Sequence, residues 1–364
     1  MIRFFGIEKQ YLNLKEEILN CTDKVLSTGK VLDGEYVENF ESAIAKRCNR
    51  KYAIAVNSGT QALIFVQNWL SRSHHIKVLI PSISFVATLN SVLMSGNSAK
   101  FCDVDFQGLM NLQGFDQSLS SEKIDAIMYV NLFGNIVDYG KQVMISKFFN
   151  KDISIIEDAA QSFGGSYENK PSGSLGDYSI LSFDPTKNLS NFGSGGMILT
   201  DSHSAMLYFR NIQNNGKFSE HSVPGTNSKM SEVDCAHMLI KLNHFDNWQT
   251  RRTKIAEYYN QEFHSLKPFG LLTLPQTPNT KHAWHKYVVR CSSRNELIEH
   301  LSSKNIETKI HYSTPLFEYD IGWPFINYAT ELYREARRFR GRSSLPRCRR
   351  GTGRPRHDRR QRQG

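Results

Sequence analysis

The chain of 364 residues is 40% hydrophobic and 22% charged, which is typical of a soluble globular protein with a large and a smaller domain. No apolar run reaches the roughly 18 residues of a membrane helix, no signal-peptide core opens the chain, and the six cysteines lie singly without metal-ligand spacing. We therefore expect a cytoplasmic protein without membrane contact or a metal site. The net charge of +10 does not indicate a nucleic-acid-binding body, because 13 arginines and only two acids occupy the last 31 residues.

Short β-branched runs alternate with helical patterns up to residue 158. The clearest helix, over residues 58–70, places Ala62, Phe65, Val66 and Trp69 on one face. The predicted elements in chain order are strand 51–56, helix 58–70, strand 77–81, helix 85–96, strands 99–105 and 125–130, a helix within 139–150, and strand 153–158. This alternation predicts an α/β fold with a doubly wound, mostly parallel sheet.

The pattern changes after residue 158. Strands are predicted at 178–183 and 195–200, with too few residues between them for a crossover helix. A long helix over 231–264 then leads into a small α+β unit made of strand 284–290, helix 294–305 and strand 308–312. We therefore predict a large domain over residues 8–240 and a small C-terminal domain over 241–346.

The arginine-rich segment over residues 347–364, "RCRRGTGRPRHDRRQRQG", has no apolar periodicity, aromatic residue or lysine. This composition predicts a disordered tail. An RNA-binding arm is one interpretation, because arginine clusters bind phosphate. We favour replacement of the natural C-terminus, for example by a change of reading frame, because the body of the chain uses lysine freely and the tail does not.

The first candidate site is "NSGTQAL", over residues 57–63, where a predicted strand passes into a helix. Free backbone N–H groups at a helix N-terminus, with hydroxyls from Ser58 and Thr60 and close approach permitted by Gly59, can bind a phosphate. The alternative is an ordinary helix cap, a role that Ser and Thr fill in many proteins.

The second candidate site is "IIEDAAQSFGG", over residues 155–165. Its apolar residues bring Glu157 and Asp158 to the carboxyl end of a strand, where open α/β sheets bind their ligands. A carboxylate at this position can bind a metal, a ribose hydroxyl or a protonated ring nitrogen, or it can simply cap the next turn.

The third candidate site is "SFDPTK", over residues 182–187. Ser182 ends a strand as another phosphate donor, and Asp184 and Pro185 turn the chain so that Lys187 can point back toward the same edge. A lysine that attacks a carbonyl must be partly unprotonated, which burial achieves. Taken by itself, Lys187 could also be a solvated loop charge.

The three sites together fit one ligand that has a phosphate, a ring nitrogen and an aldehyde, and pyridoxal phosphate has all three. The sequence has no P-loop motif and no GxGxxG after the first strand. The absence of these motifs argues against a nucleotide hydrolase and against a dehydrogenase.

At these residues the chain resembles the DegT/DnrJ/EryC1/StrS family of pyridoxal phosphate dependent nucleotide-sugar aminotransferases, from about residue 8 to 346. The segments that carry the resemblance are "VLDGEYVENFESAIAKRCNRKYAIAVNSGTQAL", "IPSISFVATLNSVLMSGNSAKFCDVD", "EDAAQSFGGSYENKPSGSLGDYSILSF" and "GTNSKMSEVDCAH". The resemblance implies the aspartate aminotransferase-like fold, known as fold type I.

The resemblance also implies roles for individual residues. The phosphate of the cofactor would be bound by Ser58, Gly59, Thr60 and Ser182, and Phe85 would stack on the face of the pyridine ring. Asp158 would pair with the ring nitrogen, Gln161 would lie against the ring hydroxyl, and Lys187 would bind the aldehyde. Asn227 would reach the phosphate in the neighbouring subunit, which implies a homodimer. The sugar-nucleotide side would include His285, His311 and Tyr312; buried polar groups of a small β unit are the alternative for each of these.

Three departures from the family pattern stand out. Ser194 occupies the place of an acid in the Gly-Glu-Gly-Gly or Gly-Asp-Gly-Gly segment that commonly follows the lysine. Lys229 stands where arginine is usual, which removes a bidentate donor. After residue 346 the family's closing helix is absent and the arginine-rich tail takes its place.

The resemblance implies transfer of an amino group from L-glutamate to a nucleotide-linked keto-deoxysugar. We expect dTDP-4-keto-6-deoxyglucose, converted to a dTDP-4-amino-4,6-dideoxyhexose for O-antigen or another surface polysaccharide, with 3-keto sugars as the alternative. A pyridoxal phosphate dependent sugar dehydratase is a same-fold alternative, but it carries histidine where this chain has Lys187. A regulatory or nucleic-acid-binding protein acting through the basic tail is the alternative outside enzymes.

Overall fold

The computed structural model describes residues 1–112, 123–149, 152–322 and 333–340. The helices are α1 (Ile7–Thr28), α2 (Glu35–Arg47), α3 (Gly59–Leu70), α4 (Ala87–Met94), α5 (Tyr139–Phe149), α6 (His203–Ile212), α7 (Glu232–His264), α8 (Arg294–Ser303) and α9 (Arg334–Arg340). The strands are β1 (Tyr52–Val56), β2 (Lys77–Pro81), β3 (Ser98–Cys102), β4 (Ala126–Val130), β5 (Ser154–Asp158), β6 (Ser166–Tyr167), β7 (Lys170–Pro171), β8 (Tyr178–Ser182), β9 (Gly196–Thr200), β10 (Leu271–Thr273), β11 (Thr280–Lys281) and β12 (Val289–Cys291). The predicted arginine-rich tail over 347–364, which takes the place of the family's closing helix, lies outside the described residues.

Seven strands form one sheet in the order β1-β9-β8-β5-β4-β2-β3. All neighbours from β8 to β3 are parallel, while β9 runs antiparallel to both β1 and β8. The mostly parallel α/β sheet predicted from the sequence is therefore confirmed. Because parallel strands end at the same edge, Asp158 at the end of β5 and Ser182 at the end of β8 lie together there.

Helices cover both faces of this sheet, and successive strand residues alternate between two apolar clusters. Ile54 belongs to the cluster that contains Phe65 of α3, whereas its neighbour Ala55 belongs to the cluster that contains Phe40 of α2 and Phe245 of α7. This alternation follows from the two-residue period of a strand, and burial on both faces explains the continuous apolar runs in the sequence. Along the described ranges, no helix combines the length and the apolar character needed to cross a membrane.

The predicted strand at 284–290 is shorter in the structure, where only Val289–Cys291 is extended and paired with β10. The preceding N–H groups bind a loop instead: Ala283 N donates to Gly134 O at 2.8 Å and Lys286 N donates to Phe133 O at 3.1 Å. These N–H groups are therefore not paired with another strand. They hold the segment beside the carboxyl edge of the main sheet.

The predicted strand at 308–312 is wrong, because these residues form no strand in the structure. The extended pairing in this region lies earlier and uses the N-terminal segment, where Ile2 pairs in parallel with Ile306. Ile2 N donates to Asn305 O at 2.8 Å and Glu307 N donates to Ile2 O at 3.0 Å. The division into domains at residue 240 stays a prediction.

Candidate active site

A cavity of about 500 Å³ opens at the carboxyl ends of β5 and β8, beside the N-terminus of α3. Its volume is within the usual range for small-molecule sites. Eleven of the twelve residues expected to contact cofactor or substrate line it: Ser58, Gly59, Thr60, Phe85, Asp158, Gln161, Ser182, Lys187, His285, His311 and Tyr312. The twelfth, Asn227, is exposed and lies outside the cavity, on a segment bridged to Asn214.

One end of the cavity is formed by the first turn of α3. Ser58 is its N-cap, and the Ser58 hydroxyl accepts from Gln61 N at 3.1 Å. Within the described ranges, the N–H groups of Gly59 and Thr60 have no protein acceptor. The helix therefore presents two free backbone donors and the positive end of its dipole, an arrangement suited to a phosphate.

Close packing brings this turn against the end of β8. A Cβ on Gly59 would lie 2.8 Å from the Ser182 Cβ and 3.2 Å from its Oγ. The absence of a side chain at residue 59 thus lets the Ser182 hydroxyl stand beside the free donors of α3. Ser58 and Gly59 therefore form one concave polar surface with Ser182, which is far from them in sequence.

Asp158 is the buried carboxylate of the cavity, with 6% of its surface exposed. One of its oxygens accepts from Ala160 N at 3.0 Å, and no other hydrogen bond to this side chain is formed among the described residues. Burial is the main cause that raises its pKa to about 6, against the lowering effects of the Ala160 N–H and Lys187. A cation bound at the second oxygen would compensate the cost of burying this charge.

The neighbouring Glu157 points to the other face of the sheet and is fully satisfied there. Its carboxylate accepts from Asn131 Nδ2, the hydroxyls of Ser172 and Ser179, and the backbone N–H groups of Gly173 and Leu175, at 2.7 to 3.1 Å. The two adjacent acids that the sequence placed at one strand end therefore differ in role. Glu157 holds surrounding loops, and Asp158 alone faces the cavity.

Lys187 enters the cavity from a tight turn. Lys187 N donates to Asp184 O at 2.8 Å, and the Asp184 carboxylate accepts from Thr186 N at 2.9 Å and from the Thr186 hydroxyl at 2.6 Å. Burial lowers the pKa of the Lys187 ammonium, while Asp158 and Asp184 act to raise it. Partial desolvation increases the neutral fraction of the amine, which is the form that attacks a carbonyl.

Gln161 and Tyr312 are joined across the cavity. The Gln161 Oε1 accepts from Phe133 N at 2.9 Å, and its Nε2 donates to the Tyr312 hydroxyl at 3.2 Å. These bonds fix both ends of the amide, so it is pre-oriented before any ligand arrives. Phe85, in contrast, is 54% exposed, and its apolar ring is available to pack against a flat ligand.

His285 is buried and neutral. Burial and nearby cations hold its pKa well below the ordinary value. The Asn188 amide donates to Ala283 O at 2.7 Å, so its oxygen is oriented to accept from His285 Nδ1 at 3.1 Å. A neutral ring that donates from Nδ1 has Nε2 as an acceptor.

The sequence analysis did not single out Phe5, Lys286 or Lys309, all of which line the cavity. Lys286 directly follows His285 and Lys309 lies two residues before His311, so their positive charges beside these histidines were the available signal. Phe5 carried no signal, because its position depends on the pairing of Ile2 with Ile306.

Pyridoxal phosphate fits the residues present. The free N–H groups of Gly59 and Thr60 suit its phosphate, the open oxygen of Asp158 suits a protonated ring nitrogen, and the Lys187 amine suits its aldehyde. Across the described part of the chain, no group of three or more His, Cys, Asp or Glu side chains is arranged to hold a metal ion.

Known proteins similar to this chain include sugar aminotransferases. The model of the DegT/DnrJ/EryC1/StrS aminotransferase family matches residues 12–337. The chain is similar to dTDP-3-amino-3,6-dideoxy-alpha-D-galactopyranose transaminase of Aneurinibacillus thermoaerophilus, with 33% identity over 322 residues that cover 86% of both chains. It is also similar to GDP-perosamine synthase of Escherichia coli O157:H7, with 30% identity over 349 residues that cover 88% of this chain and 90% of the relative.

The fold is shared with solved structures. The structure of S. venezuelae DesV in complex with a ketimine intermediate superposes with a TM-score of 0.84 at 27% identity, covering 93% of this chain and 91% of that one. The match extends over the main sheet and the C-terminal part together.

Proposed function

The chain belongs to the DegT/DnrJ/EryC1/StrS aminotransferase family of pyridoxal phosphate dependent sugar aminotransferases, and from this premise we propose that it transfers an amino group from L-glutamate to a nucleotide-linked keto-deoxysugar. The observation that carries the proposal is the convergence of Lys187, Asp158 and the free N–H groups of Gly59 and Thr60 on one cavity. Each of these groups has the chemistry that one part of the cofactor requires.

The described residues divide the work of holding the cofactor. Ser58, Gly59, Thr60 and Ser182 would bind the phosphate, and the missing side chain of Gly59 lets the Ser182 hydroxyl stand beside the free N–H groups. Phe85 would pack against the ring, Gln161 would hydrogen-bond the ring hydroxyl, and Asp158 would bind the ring nitrogen. When bound, pyridoxal phosphate supplies an electron-accepting ring that stabilises negative charge at the substrate carbon.

Lys187 and Asp158 control the protons. Lys187 would bind the aldehyde of the cofactor, and its amine would take and return the proton at the substrate carbon. Burial favours this role, because the lowered pKa of Lys187 increases the neutral amine that accepts a proton. A protonated ring nitrogen bound beside Asp158 would lower the pKa of this acid, so the carboxylate would stay ionised and would keep the ring protonated.

The first substrate candidate is dTDP-4-keto-6-deoxyglucose, giving a dTDP-4-amino-4,6-dideoxyhexose for O-antigen or other surface polysaccharide in the cytoplasm. His285, His311 and Tyr312 are the proposed sugar contacts, since they line the cavity with Lys187. A 3-keto sugar is the second candidate, favoured by the 3-amino sugar in the name of the Aneurinibacillus relative. The name of the Escherichia coli relative contains a GDP-linked sugar, so GDP is an alternative to dTDP as the nucleotide of the substrate.

A test uses the purified holoenzyme with L-glutamate and a panel of 3-keto and 4-keto sugars linked to dTDP, UDP or GDP. We expect 2-oxoglutarate and one amino sugar to form in equal amounts, with dTDP-4-keto-6-deoxyglucose giving the highest kcat/KM. Higher kcat/KM for a 3-keto sugar would replace the first candidate by the second. The proposal would be contradicted if no sugar of the panel received an amino group from L-glutamate.

The active enzyme is proposed to be a homodimer in which Asn227 completes the partner's site. Its support is the position of Asn227, which is exposed and outside the cavity of its own chain. Mixing Lys187→Ala subunits with Asn227→Ala subunits tests the idea, because a mixed dimer has one site with both residues intact. Recovery of activity on mixing is expected, and a mixture as inactive as the separate variants would exclude a shared site.

A further inference from the structure

Two lysines share a pair of phenylalanine rings at the solvent side of the cavity. Lys286 Nζ lies 4.5 Å from the centre of the Phe4 ring and 4.9 Å from that of Phe5. Lys309 Nζ lies 5.5 Å and 4.6 Å from the same two centres. Phe5, Lys286 and Lys309 all line the cavity, and Lys309 is exposed.

The N-terminal segment is held in this position by backbone bonds. Ile2 pairs with Ile306, and Phe4 N donates to the Glu307 carboxylate at 2.8 Å. The Phe4 ring also stacks on His311, with 5.8 Å between ring centres. The two aromatic rings are therefore a fixed platform for both ammonium groups, since cations are attracted to the face of an aromatic ring.

This cluster concentrates positive charge that the protein does not neutralise. Among the described residues, neither lysine forms an ion pair with a carboxylate. The pKa of Lys286 is lowered to about 8, chiefly by burial and then by Lys187, Lys309 and Arg252, with Asp184 acting in the opposite direction. Arg252 is itself largely enclosed, and its Nε has no hydrogen-bond partner in the part of the chain that the structure describes.

We propose that Lys286 and Lys309 bind the diphosphate of the nucleotide-linked substrate, an inference that rests on the proposed function. The phosphate of the cofactor has its own donors at Gly59 and Thr60, whereas these lysines lie beside the histidine and tyrosine proposed to contact the sugar. Two ammonium groups match the two negative phosphates of a diphosphate. A carboxylate of the amino donor is the other anion that this chemistry could accept.

The position of the two lysines is compatible with the proposed reaction. Lys187, His311, Tyr312 and both lysines line one cavity, and Lys309 is exposed, so a substrate with its sugar at Lys187 and its diphosphate on the lysines would have its nucleoside on the solvent side. The pair would bind any nucleoside diphosphate through the group that these share. Choice among dTDP, UDP and GDP would then depend on contacts farther out.

The test measures binding of dTDP, UDP, GDP and inorganic pyrophosphate to the holoenzyme by titration calorimetry, for wild type, Lys286→Gln, Lys309→Gln and the double variant. Lys304→Gln is the matched control, since Lys304 is exposed and outside the cavity. We expect about a ten- to hundredfold weaker binding for each single variant, because hydrogen bonds to charged groups contribute that much. The control should bind as wild type does.

The amino donor is followed separately by the change in cofactor absorbance when L-glutamate is added without a sugar. Unchanged dissociation constants in the double variant, or no binding of any of the four probes by wild type, would overturn the diphosphate site. An increase in the apparent constant for glutamate alone would assign the lysines to the donor carboxylate instead. The glutamate reaction of wild type also tests amino-group loading by itself, so failure of the diphosphate site is distinguished from failure of the proposed function.

Discussion

Gly59 and Ser182 lie in direct contact at one end of the cavity, so that a Cβ on Gly59 would stand 2.8 Å from the Cβ of Ser182. The contact joins the first turn of α3 to the end of β8 and brings the free backbone donors beside the serine hydroxyl. An added methyl group cannot be accommodated by rotation of a side-chain end, because the nearest atom is bonded directly to the backbone.

The first prediction concerns Gly59→Ala. Overpacking costs about 1 to 3 kcal/mol, while alanine returns up to about 1 kcal/mol through helix propensity, so a net loss of stability is expected. Urea unfolding of the apoenzyme measures it. The double variant with Ser182→Gly removes the opposing Cβ and should recover most of the loss; a Gly59→Ala protein as stable as wild type would show that the contact relaxes freely.

The second prediction concerns Lys187→Ala. We expect loss of the covalent attachment that borohydride traps between protein and cofactor, together with at least about a thousandfold fall in kcat, the scale of a lost general acid/base. Lys286→Ala is the comparison, because Lys286 also lines the cavity and has a lowered pKa. It should keep the trapped cofactor; the reverse pattern would make Lys286 the covalent residue.

The third prediction concerns Asp158 and pH in the apoenzyme. Its folded-state pKa of about 6 lies above the ordinary value of 3.8, so its contribution to stability is present below pH 4 and is lost as pH rises through 6. The loss is at most about 3 kcal/mol, from roughly 1.4 kcal/mol per pKa unit. Unfolding of wild type and Asp158→Asn across this window should diverge by that amount, and parallel curves would contradict the raised pKa.

The fourth prediction contrasts Glu157 with its neighbour. Glu157→Gln places an amide among five donors, so a buried N–H group loses its acceptor and the free energy of unfolding falls by about 1 to 3 kcal/mol. Cofactor affinity of the folded protein should change little, since Glu157 faces away from the cavity. Spectroscopic titration with pyridoxal phosphate measures it, and a large loss of affinity with normal stability would reverse this assignment.

Much of the sheet could be predicted because its strands are short apolar runs with helical patterns between them. Strands β1 to β5, β8 and β9 lie within a residue or a few of their predicted positions. The predictions failed at 284–290 and 308–312, where β-branched and aromatic residues suggested strands. At and beside these segments the backbone bonds instead to distant residues: Ala283 and Lys286 donate to Gly134 and Phe133, and the backbone at 305 and 307 bonds to Ile2. No local pattern reveals these partners.

The candidate site shows the same division between local pattern and tertiary contact. The sequence by itself determined that Ser58, Asp158 and Ser182 stand at element ends, because strand and helix periodicity fix where each element stops, and that Lys187 follows in the turn after a strand. Only the tertiary structure decided that Asp158 faces the cavity while Glu157 does not, and that Phe4 and Phe5 meet Lys286 and Lys309. Side-chain environment depends on contacts between distant segments, which form when the whole chain packs and which local sequence does not encode.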